Sequence, residues 1–296
     1  MKTSPRPHFA YLVAAFLGIL GGSIQAFAGF EEAPPFIAHR GIDYLEGADY
    51  PGGKDKLDIF VPRNAVNAPV LVFFHGGALT GGDKQFSNYG SGLDADFAAR
   101  RFVPQGLIVV LPNYRLSPGV MHPAHAQDAA AAWAWVVRNI SRFGGDPERV
   151  FLSGHSAGGY LAALLSVDPS YLGRHGLKLS GIRGTIPVSA FLYVEETARD
   201  RPKTVWGQDP KTWLQASVSP YLGSGKPPML LIFADGDADW RKEQNRRFRQ
   251  ALMNAGNAPT GLIEVPDRNH MTLWTRISNE GDPASQAILD FIAKNP

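Results

Sequence analysis

Ser156 stands at the centre of Gly154-His155-Ser156-Ala157-Gly158, directly after the apolar run Val150 to Leu152 and ahead of the small or helix-forming residues Gly159 to Ser166. A buried strand reversing sharply into a helix leaves no room for side chains beside the bend. Glycines there let the central residue take a strained backbone and project its hydroxyl outward. The chemistry such a serine can do is acyl transfer, provided that an imidazole takes its proton and an acid orients the imidazole. Of the eight histidines, His8 and His39 lie ahead of the main body, His75 opens the His75-Gly76-Gly77-Ala78 loop, His122 and His125 lie in a loop opening a helix, and His175 in a glycine-flanked turn. His155 lies inside the bend itself, pointing along it. His270 remains, in Pro266-Asp267-Arg268-Asn269-His270 just past the last apolar run, where a loop at the carboxyl edge of a sheet reaches such a bend. The orienting acid is expected after the preceding run, Met229 to Phe233, where Asp235, Asp237 and Asp239 alternate. Spacing leaves all three open, the others being free to cap the next helix or face water. An oxyanion needs backbone N–H donors, and His75-Gly76-Gly77-Ala78 follows the run Val70 to Phe74 where such a loop belongs, with a second donor at the Ala157 N–H.

Other chemistries fit less well. Gly77 and Gly82 have phosphate-loop spacing, but Asp83-Lys84 stands where Lys-Ser/Thr is required. His122 and His125 have no third metal ligand nearby and read as helix-entry residues. The chain has no cysteine, which excludes disulfides and thiol nucleophiles. No basic block interleaved with aromatics suggests nucleic acid as a partner.

The elements that must position these groups are visible as short apolar runs rich in β-branched residues: Val70 to Phe74, Leu107 to Leu111, Val150 to Leu152, Ile182 to Val188, Met229 to Phe233 and Leu262 to Val265. Such runs mark strands buried on both faces. Helical stretches alternate with them at Leu93 to Arg101, His125 to Ile140, Ala157 to Ser166, Glu243 to Ala255 and Pro283 to Ala293. The expected class is therefore α/β, with a mostly parallel central sheet and helices on both faces. Asp43 to Tyr50 and Lys56 to Val61, joined by Pro51-Gly52-Gly53, read as an antiparallel hairpin at one sheet edge. Residues 193–228 break the rhythm and are expected to form an irregular or helical insertion above the carboxyl edge. Its Trp206 and Trp213 would either line a pocket or pack the insertion down.

Residues 1–28 read as a signal peptide: Lys2 and Arg6, an apolar stretch from Phe9 to Leu20, and Ala26-Phe27-Ala28 as a small-x-small cleavage site. Cleavage after Ala28, secretion or periplasmic export, a single domain over 29–296 and no stable membrane span in it are the expectations. Lys2 and Arg6 account for the whole excess of 29 basic over 27 acidic residues.

In order, His75-Gly76-Gly77-Ala78, Asn113-Tyr114-Arg115-Leu116-Ser117-Pro118, Gly144-Gly145-Asp146-Pro147 and the bend at 154–159 resemble the HGGG, D-Y-R-L-A-P, G-G-D-P and nucleophile-elbow motifs of α/β-hydrolases of the hormone-sensitive-lipase and carboxylesterase type. The resemblance covers nearly all of the chain after the leader. It implies an α/β-hydrolase fold, Ser156 as nucleophile, His270 as base, and oxyanion donors at Gly77, Ala78 and Ala157. In relatives similar to kynurenine formamidases the acid stands shortly before an R-x-x-Q segment, which implies Asp237 ahead of Arg241 to Gln244. It further implies a small-molecule carboxylic ester as substrate, with no cofactor and no metal. An arylformamide is the second reading and a non-catalytic ligand-binding module the third. Three positions depart from the pattern: Ala78 replaces the third glycine, Leu79 stands where formamidase-like members often have tryptophan, and Asn113 replaces the aspartate of D-Y-R-L-A-P.

Overall fold

The computed structural model describes residues 36–86, 96–200 and 203–296. The expected signal peptide and the first residues of the expected helix at Leu93 lie outside them. Eight strands form one sheet: β1 (Phe36–Asp43), β2 (Lys56–Pro62), β3 (Ala68–Phe74), β4 (Ile108–Pro112), β5 (Gly145–His155), β6 (Gly184–Val188), β7 (Leu230–Gly236) and β8 (Gly261–Asn269). Their order across the sheet is β1-β2-β4-β3-β5-β6-β7-β8, with β1 and β2 antiparallel and every pair from β4 to β8 parallel. The mostly parallel sheet is thus as its apolar runs foretold.

Among the described residues ten helices connect or follow the strands: α1 (Phe97–Phe102), α2 (Ala124–Asn139), α3 (Ala157–Val167), α4 (Pro169–Gly173), α5 (Val194–Thr197), α6 (Lys203–Trp206), α7 (Pro210–Ala216), α8 (Asp239–Asn254), α9 (His270–Thr275) and α10 (Pro283–Lys294). The period of two along a strand puts neighbours on opposite faces, and here both faces are apolar. Val70, Val72 and Phe74 of β3 join the core under α2 and α3, whereas Leu71 and Phe73 join the one under α1, α9 and α10. A third cluster packs α8 against β7 through Phe248, Leu252 and Leu231.

The edge hairpin differs in detail from the alternation. Its first strand is Phe36–Asp43, so His39 belongs to the sheet, and residues 44–55 form a loop. The Tyr44 ring is buried, and its hydroxyl donates to the carbonyls of Lys54 (2.9 Å) and Asn113 (3.0 Å), which turns the chain off the ladder after Asp43. Residues 193–228 are built of the short helices α5 to α7 and 3-10 turns. Trp206 is buried edge-on against Tyr160 of α3 (5.5 Å) and Phe191 (6.2 Å), so it anchors the insertion to the body. Trp213 is half-buried, its Nε1 donating to the Gly207 carbonyl at 3.2 Å. No helix among the described residues is long and apolar enough to cross a membrane.

Candidate active site

Ser156 follows the last residue of β5 and immediately precedes α3, at φ 55° and ψ −113°. A non-glycine residue held there costs on the order of 1–3 kcal/mol and needs a surrounding that fixes it. Two backbone bonds do so: the Ser156 N–H donates to the Val188 carbonyl of β6 (2.8 Å), and the Ser156 carbonyl accepts from Tyr160 N–H (3.0 Å). The flanking glycines are required by contact rather than by their own dihedrals. A Cβ on Gly158 would lie 2.0 Å from the Phe74 carbonyl oxygen and one on Gly154 2.4 Å from the Gly158 carbonyl carbon. The β3 exit therefore runs directly against the start of α3.

That exit is itself tightly wound. Gly77 has φ 112°, and a Cβ there would meet the Gly81 oxygen at 2.2 Å. Ala78 (φ 56°) and Leu79 (φ 65°) continue in the left-handed region. The Gly77 carbonyl accepts from both Thr80 and Gly81 N–H groups, at 3.0 and 2.9 Å. His75 is buried and stacks on Tyr114 at 4.2 Å, while the Tyr114 hydroxyl donates to the His75 carbonyl. Burial pushes the His75 ring down to about 3, so it stays neutral and structural.

His270 opens α9. The Asn269 side chain accepts from the Met271 and Thr272 N–H groups, and Thr272 Oγ1 accepts from the Asn269 N–H, a capping box that fixes the helix start. From there His270 Nε2 lies 3.0 Å from Ser156 Oγ, and Nδ1 lies 2.7 Å from Asp237 Oδ1. Asp237 is the aspartate of the three that meets His270. Its carboxylate is buried and also accepts from Ser189 Oγ and the Ala234 N–H (3.0 Å), with Arg241 Nε 3.5 Å away. Burial alone would raise its pKa. The hydrogen bonds from His270, Ser189 and Ala234 outweigh this and hold it at about 2. An ionised carboxylate only accepts, so His270 carries its proton on Nδ1 and leaves Nε2 free to accept from the serine.

The neighbouring aspartates have other work. Asp235 accepts from the Asp267 and Arg268 N–H groups and so pins the loop leading to His270, whereas Asp239 is exposed in the first turn of α8 and pairs with Lys242. His125 is buried and faces Ser117 Oγ at 3.1 Å, His122 lies against Trp206 and Tyr171, and no metal-ligand cluster is found among the described residues. Asn113, which departs from the motif, uses both ends of its amide: Nδ2 donates to the Gly53 carbonyl (2.8 Å) and Oδ1 accepts from the Lys84 N–H (2.7 Å). An aspartate could not make the first bond.

Sequence reasoning did not single out Ser189, the role of Arg241, or the contact of His155 with the His270 carbonyl. Ser189 has φ 46° at the end of β6 and turns its hydroxyl to Asp237, and Arg241 Nη1 donates to the Ser189 carbonyl at 2.7 Å. The Arg-x-x-Gln spacing was the one available signal for Arg241. For Ser189 the sequence offers none. A groove of about 740 Å³ opens at the amino ends of β7 and β8, beside α10, and does not include Ser156.

Known proteins share this frame. A truncated carbohydrate esterase from gut microbiota superposes with a TM-score of 0.73 at 19% identity, covering 88% of this chain and 97% of that one, which identifies the α/β-hydrolase fold. Esterase LipQ of Mycobacterium tuberculosis is 30% identical over 74% of this chain and 55% of its own length. Kynurenine formamidase of Salmo salar is 23% identical over 82% of this chain and 80% of its own. The chain spans about half the length of LipQ and of the mycobacterial esterases LipC and LipM. The BD-FAE family model matches residues 57–252, from β2 through the elbow and the aspartate turn into α8, and the chain belongs to the BD-FAE family.

Proposed function

We propose that this protein is an exported serine hydrolase that cleaves small carboxylic esters through an acyl-enzyme. The observation that carries the reading is the continuous hydrogen-bonded path from Ser156 Oγ through His270 to Asp237, set on a strained elbow. His270 Nε2 takes the hydroxyl proton as Oγ bonds to the ester carbonyl carbon. The resulting oxyanion is held by the N–H groups of Gly77, Ala78 and Ala157. The imidazolium then gives its proton to the leaving alkoxy oxygen as the C–O bond breaks, and Asp237 stabilises the cation meanwhile. Water enters in the alcohol's place, loses a proton to His270, and displaces the acyl group as Oγ recovers its hydrogen. Neither a metal nor an organic cofactor takes part in this scheme. Export through residues 1–28, with cleavage after Ala28, completes the proposal.

The names of LipQ, LipC and LipM support an ester as the substrate class. The formamidase relative keeps an arylformamide as the competing bond. Covalent labelling with an organophosphate tests the nucleophile. The expected result is a single adduct on Ser156 that Ser156→Ala abolishes, and folded protein that stays unlabelled removes the reading. Paired assays on a short acyl aryl ester and an aryl formamide then decide the bond, faster turnover of the ester being expected.

A further inference from the structure

The residue beside the serine is placed to do more than fill the bend. His155 ends β5, and its ring is buried against His270 and Trp274 of α9. Its Nε2 lies 2.8 Å from the backbone oxygen of His270, and its ring centroid is 4.7 Å from that of His270 at 39°. On its other side it stacks near Trp274 at 6.2 Å and 16°, and Trp274 in turn stacks on Phe73 of β3 at 4.0 Å and 13°. We infer that His155 is a positioning residue for His270: its Nε2–H, bonded to the His270 carbonyl, fixes the distance between the base and the serine, which rests on the serine-hydrolase reading above.

Three physical points support this assignment. A carbonyl only accepts, so the contact requires hydrogen on Nε2 and fixes the tautomer of His155. Burial, with the neighbouring His270 adding in the same direction, pushes this ring down to about 3. It therefore stays neutral and adds no like charge when His270 becomes an imidazolium. The third point concerns connectivity. Asp237 locates the His270 ring from β7, and the capping box locates α9 relative to its own strand, β8. The bond from His155 ties the His270 backbone to β5, the strand that leads directly into Ser156. Proton transfer between Oγ and Nε2 depends steeply on that separation, and displacement of about 1 Å can lower a rate on the order of 100-fold.

The test compares His155→Phe, His155→Gln and His155→Asn with the unchanged protein on one aryl ester. Phenylalanine keeps a ring for stacking and removes the donor. Glutamine places an amide N–H where Nε2 was, and asparagine places one too short to reach. We expect kcat to fall roughly 30- to 100-fold for Phe and Asn with KM within about threefold, and Gln to recover to within about fivefold of the unchanged protein. Should the Phe variant not fold, the Gln and Asn pair makes the same comparison. Full kcat in a folded Phe or Asn variant, or equal losses in Gln and Asn, overturns the inference. Ser156→Ala is assayed alongside: if turnover survives there, the parent reading falls. If Ser156→Ala is inert while Phe is fully active, the positioning role alone falls.

Discussion

Asp58 and Asp237 are both buried carboxylates that accept a backbone N–H, yet they sit in regions of opposite character. At the antiparallel edge Asp58 accepts from the Gly41 N–H (2.7 Å) and meets Lys84 Nζ at 2.7 Å, with Arg40 Nη1 at 3.7 Å. These partners are donors only, so the polarity ends where the ion pair ends. At the carboxyl edge Asp237 also bonds an imidazole, whose far nitrogen meets a hydroxyl. On the proposed reading, a buried carboxylate marks a reaction centre only when its partner can hand a proton onward. At the antiparallel edge the same chemistry clamps β2 to the loop that carries Lys84.

The contrast breaks if the two aspartates respond alike. Asp237→Asn is expected to lower kcat/KM on an aryl ester by at least about 1,000-fold, while Asp239→Asn stays within about threefold. Asp58→Asn is expected to leave the turnover of folded enzyme within about twofold. It should lower the unfolding free energy in denaturant by roughly 3–5 kcal/mol, because Lys84 would be left buried without its counter-charge. A smaller loss follows from Asn113→Asp, which sets a carboxylate against the Gly53 carbonyl: about 1–3 kcal/mol in the same measurement, with kcat unchanged. Ser189→Ala removes one bond to Asp237 and is expected to reduce kcat about tenfold.

A further effect is on pH dependence. The Asp237 pKa of about 2 in the folded protein lies below the ordinary value, so the native carboxyl binds a proton less readily than the unfolded chain does. Its stabilisation is fully present above the ordinary aspartate value of about 3.9 and is lost as pH falls through the window down to about 2. Unfolding titrations of Asp237→Asn should show a shallower slope in that window than the unchanged protein.

Residues fixed by local pattern were legible in the sequence. Ser156 lies in a five-residue motif between a strand and a helix, and His270 is the histidine that follows the last apolar run. Spacing did not separate the three aspartates, and only the family resemblance pointed to Asp237, because their directions depend on how the β7 turn meets the β8 loop. Asp235 turns outward because the N–H groups of Asp267 and Arg268, over thirty residues away, bind it. Ser189 and His155 were hidden for the same reason, their partners being 48 and 115 residues distant. The first strand was misplaced because Tyr44 is held by Lys54 and Asn113, contacts that alternation does not encode.

The crossing of the β3 exit over Gly158, where a side chain would come within 2.0 Å of the Phe74 oxygen, bears on how this enzyme can diversify. The loop proposed to hold the oxyanion and the serine proposed as nucleophile are mechanically one part: neither can be shifted by substitution at the junction without prising the other away. Variation in what the enzyme accepts must therefore arise around that part, in surface segments such as the short helices of residues 193–228, while the junction itself has almost no mutational freedom.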